Sequence, residues 1–323
     1  FISKYKIIAY HLSIRIDMNY KVLAVKKLFC TICSAIIPYN PLRHKVRYIL
    51  NPLNDKRVER YFSEQYVLPA YQRISNLKNN IQNVDTQKGE TCEYIWQCWF
   101  QGKEKAPALV KTCLQSVEKF KRDKQKVVII TAKNYTDYVS LPSFIIEKWE
   151  KGIISHAQLS DILRINLLAK YGGYWIDATC LLTAPIPKWI ETCPIFMYRA
   201  YGKFDFTFIQ SCFIHANTNN PIILAWCFSM EQLWKKEKKL LHYFQLHLMF
   251  KALVYTNSLA KEEFLKMPAI SEKETQTLMD FILQGAPYST KAFETIKKKS
   301  FIHKLTYKED IPNEFYSFYL SHQ

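Results

Sequence analysis

Three charged side chains raise the chemical question. In SDILRINLLAKYGGYWIDATC, residues 160–180, Asp161 and Arg164 stand three apart in a segment of helical apolar spacing, so they share one face. Asp177 follows at the far end of a short apolar run that begins after Gly172-Gly173. Taken alone, an i, i+3 acid–base pair reads as an ion pair of little energetic weight. Two adjacent glycines in a chain holding only 7 change that reading, because they permit a left-handed or close-approach backbone where a helix hands over to a strand. A carboxylate at a strand end can hold sugar hydroxyls or a divalent cation, and a guanidinium fork suits bidentate polar or phosphate recognition. In an open α/β sheet, ligands gather at the carboxyl ends of strands near a topological switch point, where Asp161, Arg164 and Asp177 are expected to converge.

The elements that must position these groups alternate in type. Tyr94 to Phe100 reads as a strand, Ala108 to Phe120 as a helix with apolar positions at 109, 110, 113, 114 and 117, and Lys126 to Thr131 as a second strand. His156 to Lys170 carries helical apolar positions at 159, 162, 163, 165, 167 and 168, and Tyr174 to Leu182 reads as the next strand, stopped by Pro185 and Pro187. Further strands are expected at Ile195 to Tyr198 and Thr207 to Ile214, amphipathic helices at Pro221 to Trp234 and Lys239 to Leu253, and short mixed elements around Ser300 to Lys308. The rhythm is that of an α/β sheet with helices on its faces. Residues 1–85 read instead as basic and helical: either a layer packed on the main domain, the preferred reading, or a basic amphipathic surface meeting anionic lipid. The polar stretch Asn79 to Glu90 is the expected boundary, with a second domain over 86–323.

Composition sets the class of partner. Hydrophobic residues make up 49% and aromatics 15%, which excludes a disordered chain. Lys and Arg number 45 against 28 Asp and Glu, and the net charge of +17 points to a polyanionic neighbour: nucleic acid, an anionic membrane surface or a phosphorylated small molecule. The basic runs Lys119 to Lys126, Lys235 to Lys239 and Lys297 to Lys299 read first as solvated faces. Nine scattered cysteines, including a CxxC at Cys30 and Cys33 with no second pair at zinc spacing, read as free thiols in a reducing compartment. The most apolar early run, Leu28 to Pro38, spans about ten residues where a membrane-crossing helix needs about 20. The chain opens on Phe1 rather than Met, so it is read as a piece of a longer protein with room for a targeting segment ahead.

The run S-D-x-x-R followed by L-x-x-Y-G-G-x-W-x-D resembles the signature of GT-A-type glycosyltransferases of the DXD sugar-binding group (family 32-like), and GGYWIDAT is most similar to its capsular polysaccharide synthesis branch. YIWQCWFQG, SCFIHANTNNPIILAW, HYFQLHLMF and IHKLTYK are similar to that branch as well, so the resemblance spans roughly Ile95 to Lys308. It implies a Rossmann-like mixed sheet and transfer of a hexose, with retention, from a nucleotide sugar, UDP-linked by expectation, to a lipid-linked or oligosaccharide acceptor of a surface polysaccharide at the inner face of the cell membrane. By the same resemblance Trp99, with Gln97 on the same strand, would lie at the nucleotide, Asp161 and Arg164 would hold the donor sugar, and Asp177 would face ribose, sugar and metal. Gly172 and Gly173 would turn the backbone beneath the donor, and His303 and Lys304 would approach the diphosphate from the C-terminal segment. One departure matters: Thr179 stands where the group has its second Asp. Either Asp177 still holds Mn²⁺ or Mg²⁺ with the diphosphate and water, the preferred reading, or cationic side chains stabilise the leaving nucleotide.

Two other readings compete. A nucleic-acid-binding protein would use the charge and aromatics, yet the chain has no RNP, OB or helix-turn-helix signature, and its aromatics lie within apolar periodic segments. A silent scaffold would have no chemical need for Asp161, Arg164, both glycines and Asp177 together. His242 and His247, five apart in an apolar stretch, read as one packed and one exposed histidine rather than a metal pair. His156, Gln210 and Ser211 are candidates for the same pocket, the last two on the acceptor or sugar side.

Overall fold

The β-branched and aromatic runs after residue 92 become strands, and the segments between them bury one apolar face each. The computed structural model describes residues 20–39, 42–43, 45–46, 50, 56–80, 93–285, 287–309 and 311–321. Most of the polar stretch expected as the domain boundary lies outside the described residues, as does Cys92. In chain order the elements are helices α1 (Tyr20–Ala35), α2 (Lys56–Phe62) and α3 (Leu68–Asn80), strand β1 (Glu93–Cys98), α4 (Ala108–Phe120), β2 (Gln125–Ile130), α5 (Ser143–Glu150) and α6 (His156–Tyr171). They continue with β3 (Gly173–Ile176), β4 (Cys180–Leu182), β5 (Ile195–Arg199), β6 (Ile209–Ala216), α7 (Pro221–Lys236), α8 (Gln245–Thr256), α9 (Ser258–Lys266), α10 (Lys273–Leu283), α11 (Thr290–Lys299), β7 (Ile302–Lys304) and α12 (Asn313–Ser321).

The chain divides into two compact units, Phe1–Tyr61 and Phe62–Gln323. The division falls earlier than the sequence suggested because residues 62–80 belong with the second unit. Phe62, Tyr66, Val67 and Ala70 are buried there, the Tyr66 hydroxyl donates to Glu237 at 2.7 Å, and Arg73 pairs with Glu231 at 2.7 Å. In the first unit, α1 carries Val25, Leu28, Phe29 and Ile32 as exposed apolar side chains at helical spacing. No helix among the described residues is long and apolar enough to cross a membrane.

The sheet of the second unit has the order β2-β1-β3-β6-β5. β1 runs parallel to β2 and β3, whereas β6 is antiparallel to both β3 and β5, so the sheet is mixed. The chain leaves β1 toward β2 on one side and returns as β3 on the other, which opens a crevice at the carboxyl ends of β1 and β3. Ile95, Trp96, Tyr174, Trp175, Ile176, Phe213 and Ile214 are essentially inaccessible. Burial of an aliphatic or Phe side chain of this kind contributes on the order of 1.5–3 kcal/mol.

Helix α4 buries Leu109, Val110, Cys113, Leu114 and Val117, the positions its spacing marks. α6 likewise buries all six of its marked positions. It starts at a capping box in which the Ser155 hydroxyl and the Gln158 amide satisfy each other's backbone N–H groups.

The run expected as one strand from Tyr174 to Leu182 is two. β3 ends at Ile176, the Asp177 N–H still reaches the Cys212 carbonyl at 2.8 Å, and a turn closed by Cys180 N–H to the Asp177 carbonyl at 2.8 Å redirects the chain. β4 then pairs with β7 in a separate two-stranded sheet, Cys180 opposite Lys304. The stretch 258–299, left without elements by the sequence reading, forms α9, α10 and α11. Five of the described cysteines, Cys98, Cys113, Cys180, Cys212 and Cys227, are buried thiols.

Candidate functional site

The site begins with helix α6. Its capped start fixes the rotation that turns Asp161 and Arg164 toward the end of β3. The Arg164 side chain is buried, and its Nη2 lies 3.2 Å from Asp161 Oδ1 and 3.1 Å from Asp177 Oδ1, while Nη1 donates to the Ser211 carbonyl at 2.9 Å. The guanidinium also sits 4.9 Å from the centre of the Trp175 ring. Arg164 therefore ties together α6, the exit of β3 and the start of β6, as the spacing of the three charged groups suggested.

Asp177 is the most engaged group of the site. Oδ1 accepts from Trp175 Nε1 at 2.8 Å as well as from Arg164, and Oδ2 accepts from Lys304 Nζ at 2.8 Å. The same ammonium donates to Thr179 Oγ1 at 2.7 Å. Burial alone would raise the Asp177 carboxyl, but Lys304 and Arg164 beside it outweigh burial and hold it well below the usual carboxylate range. Lys304 is shifted the other way: burial would lower it, and the Asp177 carboxylate overrides that and keeps the ammonium charged. Asp161 has a different balance. Burial dominates, Arg164 only partly offsets it, and the Asp161 carboxyl is pushed up to about 6.

These groups line a cavity of about 390 Å³ at the carboxyl ends of β1 and β3. Trp99, just past β1, forms one wall, backed by Ala106, Val110, Leu114 and Ala178 and met edge-on by Tyr307 with ring centroids 5.6 Å apart. His156, Gln210 and Ser211 also line it, as proposed for them. Gln210 Nε2 donates to Glu272 Oε2 at 2.5 Å.

The remaining candidates fall elsewhere. Gln97 on β1, two residues before Trp99, is wholly buried, its side-chain amide meets no hydrogen-bond partner among the described residues, and it does not line the cavity. His303 is fully buried, with Nε2 3.3 Å from the Thr183 hydroxyl, because alternation along β7 sends it to the face opposite Lys304. Gly172 and Gly173 lie at the entry of β3, away from the cavity at its exit. A Cβ at Gly173 would stand 2.2 Å from the Tyr94 carbonyl oxygen, and one at Gly172 would stand 2.7 Å from the Thr218 backbone nitrogen. The glycines thus admit close backbone approach by β1 and by the loop after β6, and they do not line the cavity.

The cavity also contains groups the sequence did not single out. His247, read there as a packed or exposed histidine, lines it with Tyr243 and Tyr307. Burial first, and then the nearby Arg164 charge, lower His247 to about 3, so its imidazole is neutral. The S-x-x-Q of Ser155 and Gln158 was a readable signal for the start of α6; nothing local marked His247.

The sequence pattern of the capsular polysaccharide synthesis proteins matches residues 45–322. The chain belongs to that family. The match starts well ahead of Ile95 and so takes in part of the N-terminal segment that the resemblance had left uncovered. No curated protein matches the chain. Among solved structures, one titled PaToxG Glycosyltransferase is similar at 16% identity over 75% of this chain and 99% of that one, with a TM-score of 0.35, a likeness too low to bear on activity.

The resemblance of this capsular polysaccharide synthesis protein to the DXD group implies a divalent cation, and the residues present do not fit one. Mg²⁺ and Mn²⁺ favour about six oxygen ligands. Here Asp177 is the sole carboxylate at the turn, both its oxygens are already engaged by Arg164, Trp175 and Lys304, and the Thr179 hydroxyl is taken by the same ammonium. Among the described residues no group of three His, Cys, Asp or Glu side chains could hold a metal ion.

Proposed function

We propose that the chain is a glycosyltransferase that moves a hexose from a nucleoside-diphosphate sugar, UDP-linked, to an oligosaccharide or lipid-linked acceptor of a surface polysaccharide, with retention at the anomeric carbon. The observation that carries this reading is the convergence of Asp161, Arg164, Asp177 and Lys304 on one cavity at the switch point of the sheet, beside the flat wall of Trp99. Family membership supports the polysaccharide side of the reading.

Each residue has a task. The Trp99 ring offers a stacking face for the base, and Tyr307 holds that ring edge-on. Asp161, whose carboxylate lacks the ammonium contact that Asp177 has, accepts hydrogen bonds from donor-sugar hydroxyls. Arg164 positions both carboxylates. Asp177 orients the Lys304 ammonium and faces ribose and sugar. In the transfer step the bond from the anomeric carbon to the diphosphate oxygen breaks with its electron pair passing to the diphosphate. A new bond forms to the acceptor oxygen, and the acceptor proton passes to the departing phosphate. The dominant electrostatic demand is the developing diphosphate charge. The acceptor reaches the side lined by Gln210 and Ser211.

The apolar stripe of α1, interleaved with Lys21, Lys26 and Lys27, supports contact of the first unit with an anionic membrane, at the cytoplasmic face where lipid-linked acceptors are elongated. The test is calorimetric titration of UDP and UDP-hexoses into the intact chain and Asp177→Ala, followed by transfer assays with the sugars that bind. Binding by the intact chain, lost in the variant, supports the reading. Absence of binding by any nucleoside diphosphate or its sugars sinks it, and binding without turnover on any acceptor returns the chain to a silent scaffold.

A further inference from the structure

We propose that the Lys304 ammonium occupies the cation position beside Asp177 in place of a divalent metal, so that a nucleoside diphosphate is bound and released against a resident side-chain charge. The proposal deepens the transferase reading and rests on it for the identity of the anion.

Geometry carries it. Lys304 belongs to β7, whose register is locked to β4: Cys180 pairs with Lys304, Leu182 pairs with Ile302, and the Leu305 N–H donates to the Thr179 carbonyl at 2.9 Å. The backbone of Lys304 is thereby held directly against the Asp177–Thr179 turn. Its ammonium spans the two side chains that would hold a metal, at 2.8 Å from Asp177 Oδ2 and 2.7 Å from Thr179 Oγ1. An ammonium has three N–H donors. Two are used here, Nζ makes no other hydrogen bond among the described residues, and the side chain lines the cavity, so the third is available to a phosphate oxygen.

Charge bookkeeping explains Thr179. Asp161 and Asp177 each carry one negative charge, and Arg164 and Lys304 each carry one positive charge, so with Asp161 ionised the cluster is neutral and holds no excess negative charge against a phosphate. A second carboxylate at position 179 would leave the cluster net negative and oppose a departing diphosphate. The neutral hydroxyl instead accepts a hydrogen bond from the ammonium and aims it. Thr179 and Lys304 are therefore one feature of this turn. Mechanistically the ammonium keeps its proton: when the anomeric carbon–oxygen bond breaks, the electron pair resides on the diphosphate, and Lys304 balances the charge without acting as an acid.

The experiment uses the full chain and two kinds of titration. Mn²⁺ alone, followed by electron paramagnetic resonance, should show no site that Asp177→Asn removes. UDP, followed by calorimetry, should bind with a Kd changed less than about twofold between chelator and Mn²⁺, because no metal takes part in its recognition. Lys304→Met should weaken UDP about 10- to 100-fold and leave uridine binding unchanged, the loss of one charge-assisted hydrogen bond to phosphate. Lys304→Arg, which keeps the charge, should restore part of the UDP affinity and guards against a folding defect in the Met variant. A Mn²⁺ site lost in Asp177→Asn, a UDP affinity that chelator abolishes, or UDP binding indifferent to Lys304→Met would each overturn the proposal. Should no nucleoside diphosphate bind under any condition, the transferase reading falls and the anion half of the proposal falls with it, and the Mn²⁺ titration decides the cation half: a site removed by Asp177→Asn overturns it, and no such site supports it.

Discussion

At the entry to β3, Gly173 stands against the Tyr94 carbonyl with a backbone φ of 88°, and the Gly172 carbonyl accepts from Trp96 Nε1 at 3.0 Å inside a cluster of Tyr94, Trp96, Tyr138 and Tyr171 rings. At its exit, Asp177 is surrounded by Arg164, Trp175 and Lys304 and opens on a cavity. One motif in the sequence thus serves two ends of one strand that work differently. The entry is shape-determined, with aromatic faces and a backbone approach that admits no Cβ. The exit is charge-determined, with every oxygen of a carboxylate assigned. The lesson is that neighbours in a motif need not share a function: the glycines build the strand that carries the acid.

If that division holds, damage at the entry should appear as lost stability and damage at the exit as lost chemistry. The largest effect is expected from Gly173→Ala. Its Cβ would meet a backbone carbonyl at 2.2 Å in a conformation L-residues rarely adopt, so the backbone must shift. A loss of about 3 kcal/mol or more, or failure to accumulate folded protein, is expected by chemical denaturation. An unchanged melting curve would break the comparison.

Asp177→Asn tests the exit. Transfer should fall about 100- to 1000-fold, because the ammonium and guanidinium lose the carboxylate that orients them. Far-UV circular dichroism should stay that of the parent chain. A variant that unfolds while the folded fraction keeps its activity would move Asp177 to the structural side.

The pH dependence sharpens the distinction between the two acids of the site. Asp161 is pushed up to about 6, chiefly by burial, so the ionised form that accepts from sugar hydroxyls is present only above that value. The profile of kcat/KM should fall on the acid side with an apparent pKa near 6, about tenfold per unit below it, and Asp161→Asn should lack this limb. Stability has the opposite sign. A carboxyl raised in the folded state favours the protonated form, so its contribution is complete below the ordinary carboxylate range and is lost as pH rises through about 6. The intact chain should therefore lose more melting temperature between pH 5 and 7.5 than Asp161→Asn does. Asp177, held low, is ionised in both folded and unfolded states across that window and does not contribute.

The smallest effect is expected from Tyr307→Leu. The ring is exposed and meets Trp99 only edge-on. Nucleotide affinity should weaken about 3- to 10-fold by calorimetry, the equivalent of one aromatic contact. Thermal stability should change little.

Much of the sheet and its flanking helices was legible because apolar spacing is local. The five marked positions of α4 and the six of α6 are all buried, and the meeting of Asp161, Arg164 and Asp177 was readable from helical spacing and a strand end. The break after Ile176 was not, since Ala178, Thr179 and Cys180 are all compatible with a continuing strand. Only the Cys212 carbonyl, which receives the last β3 contact, and β7, which claims Cys180–Leu182, make it a turn. Nor could residue types decide which of His303 and Lys304 faces the cavity, because both are plausible beside a phosphate.

The sequence by itself determined the alternation of strand and helix and the helical face shared by Asp161 and Arg164. Each depends on the periodicity of a few neighbouring residues. Tertiary structure alone decided that the glycines belong to packing, that His247 lines the cavity, and that Lys304 rather than His303 meets Asp177. All three depend on contacts between segments distant in the chain: the glycines meet Tyr94 and Thr218, His247 is brought in on helix α8, and Lys304 is set by the register of β7 on β4, where a shift by one position exchanges every inward side chain for an outward one.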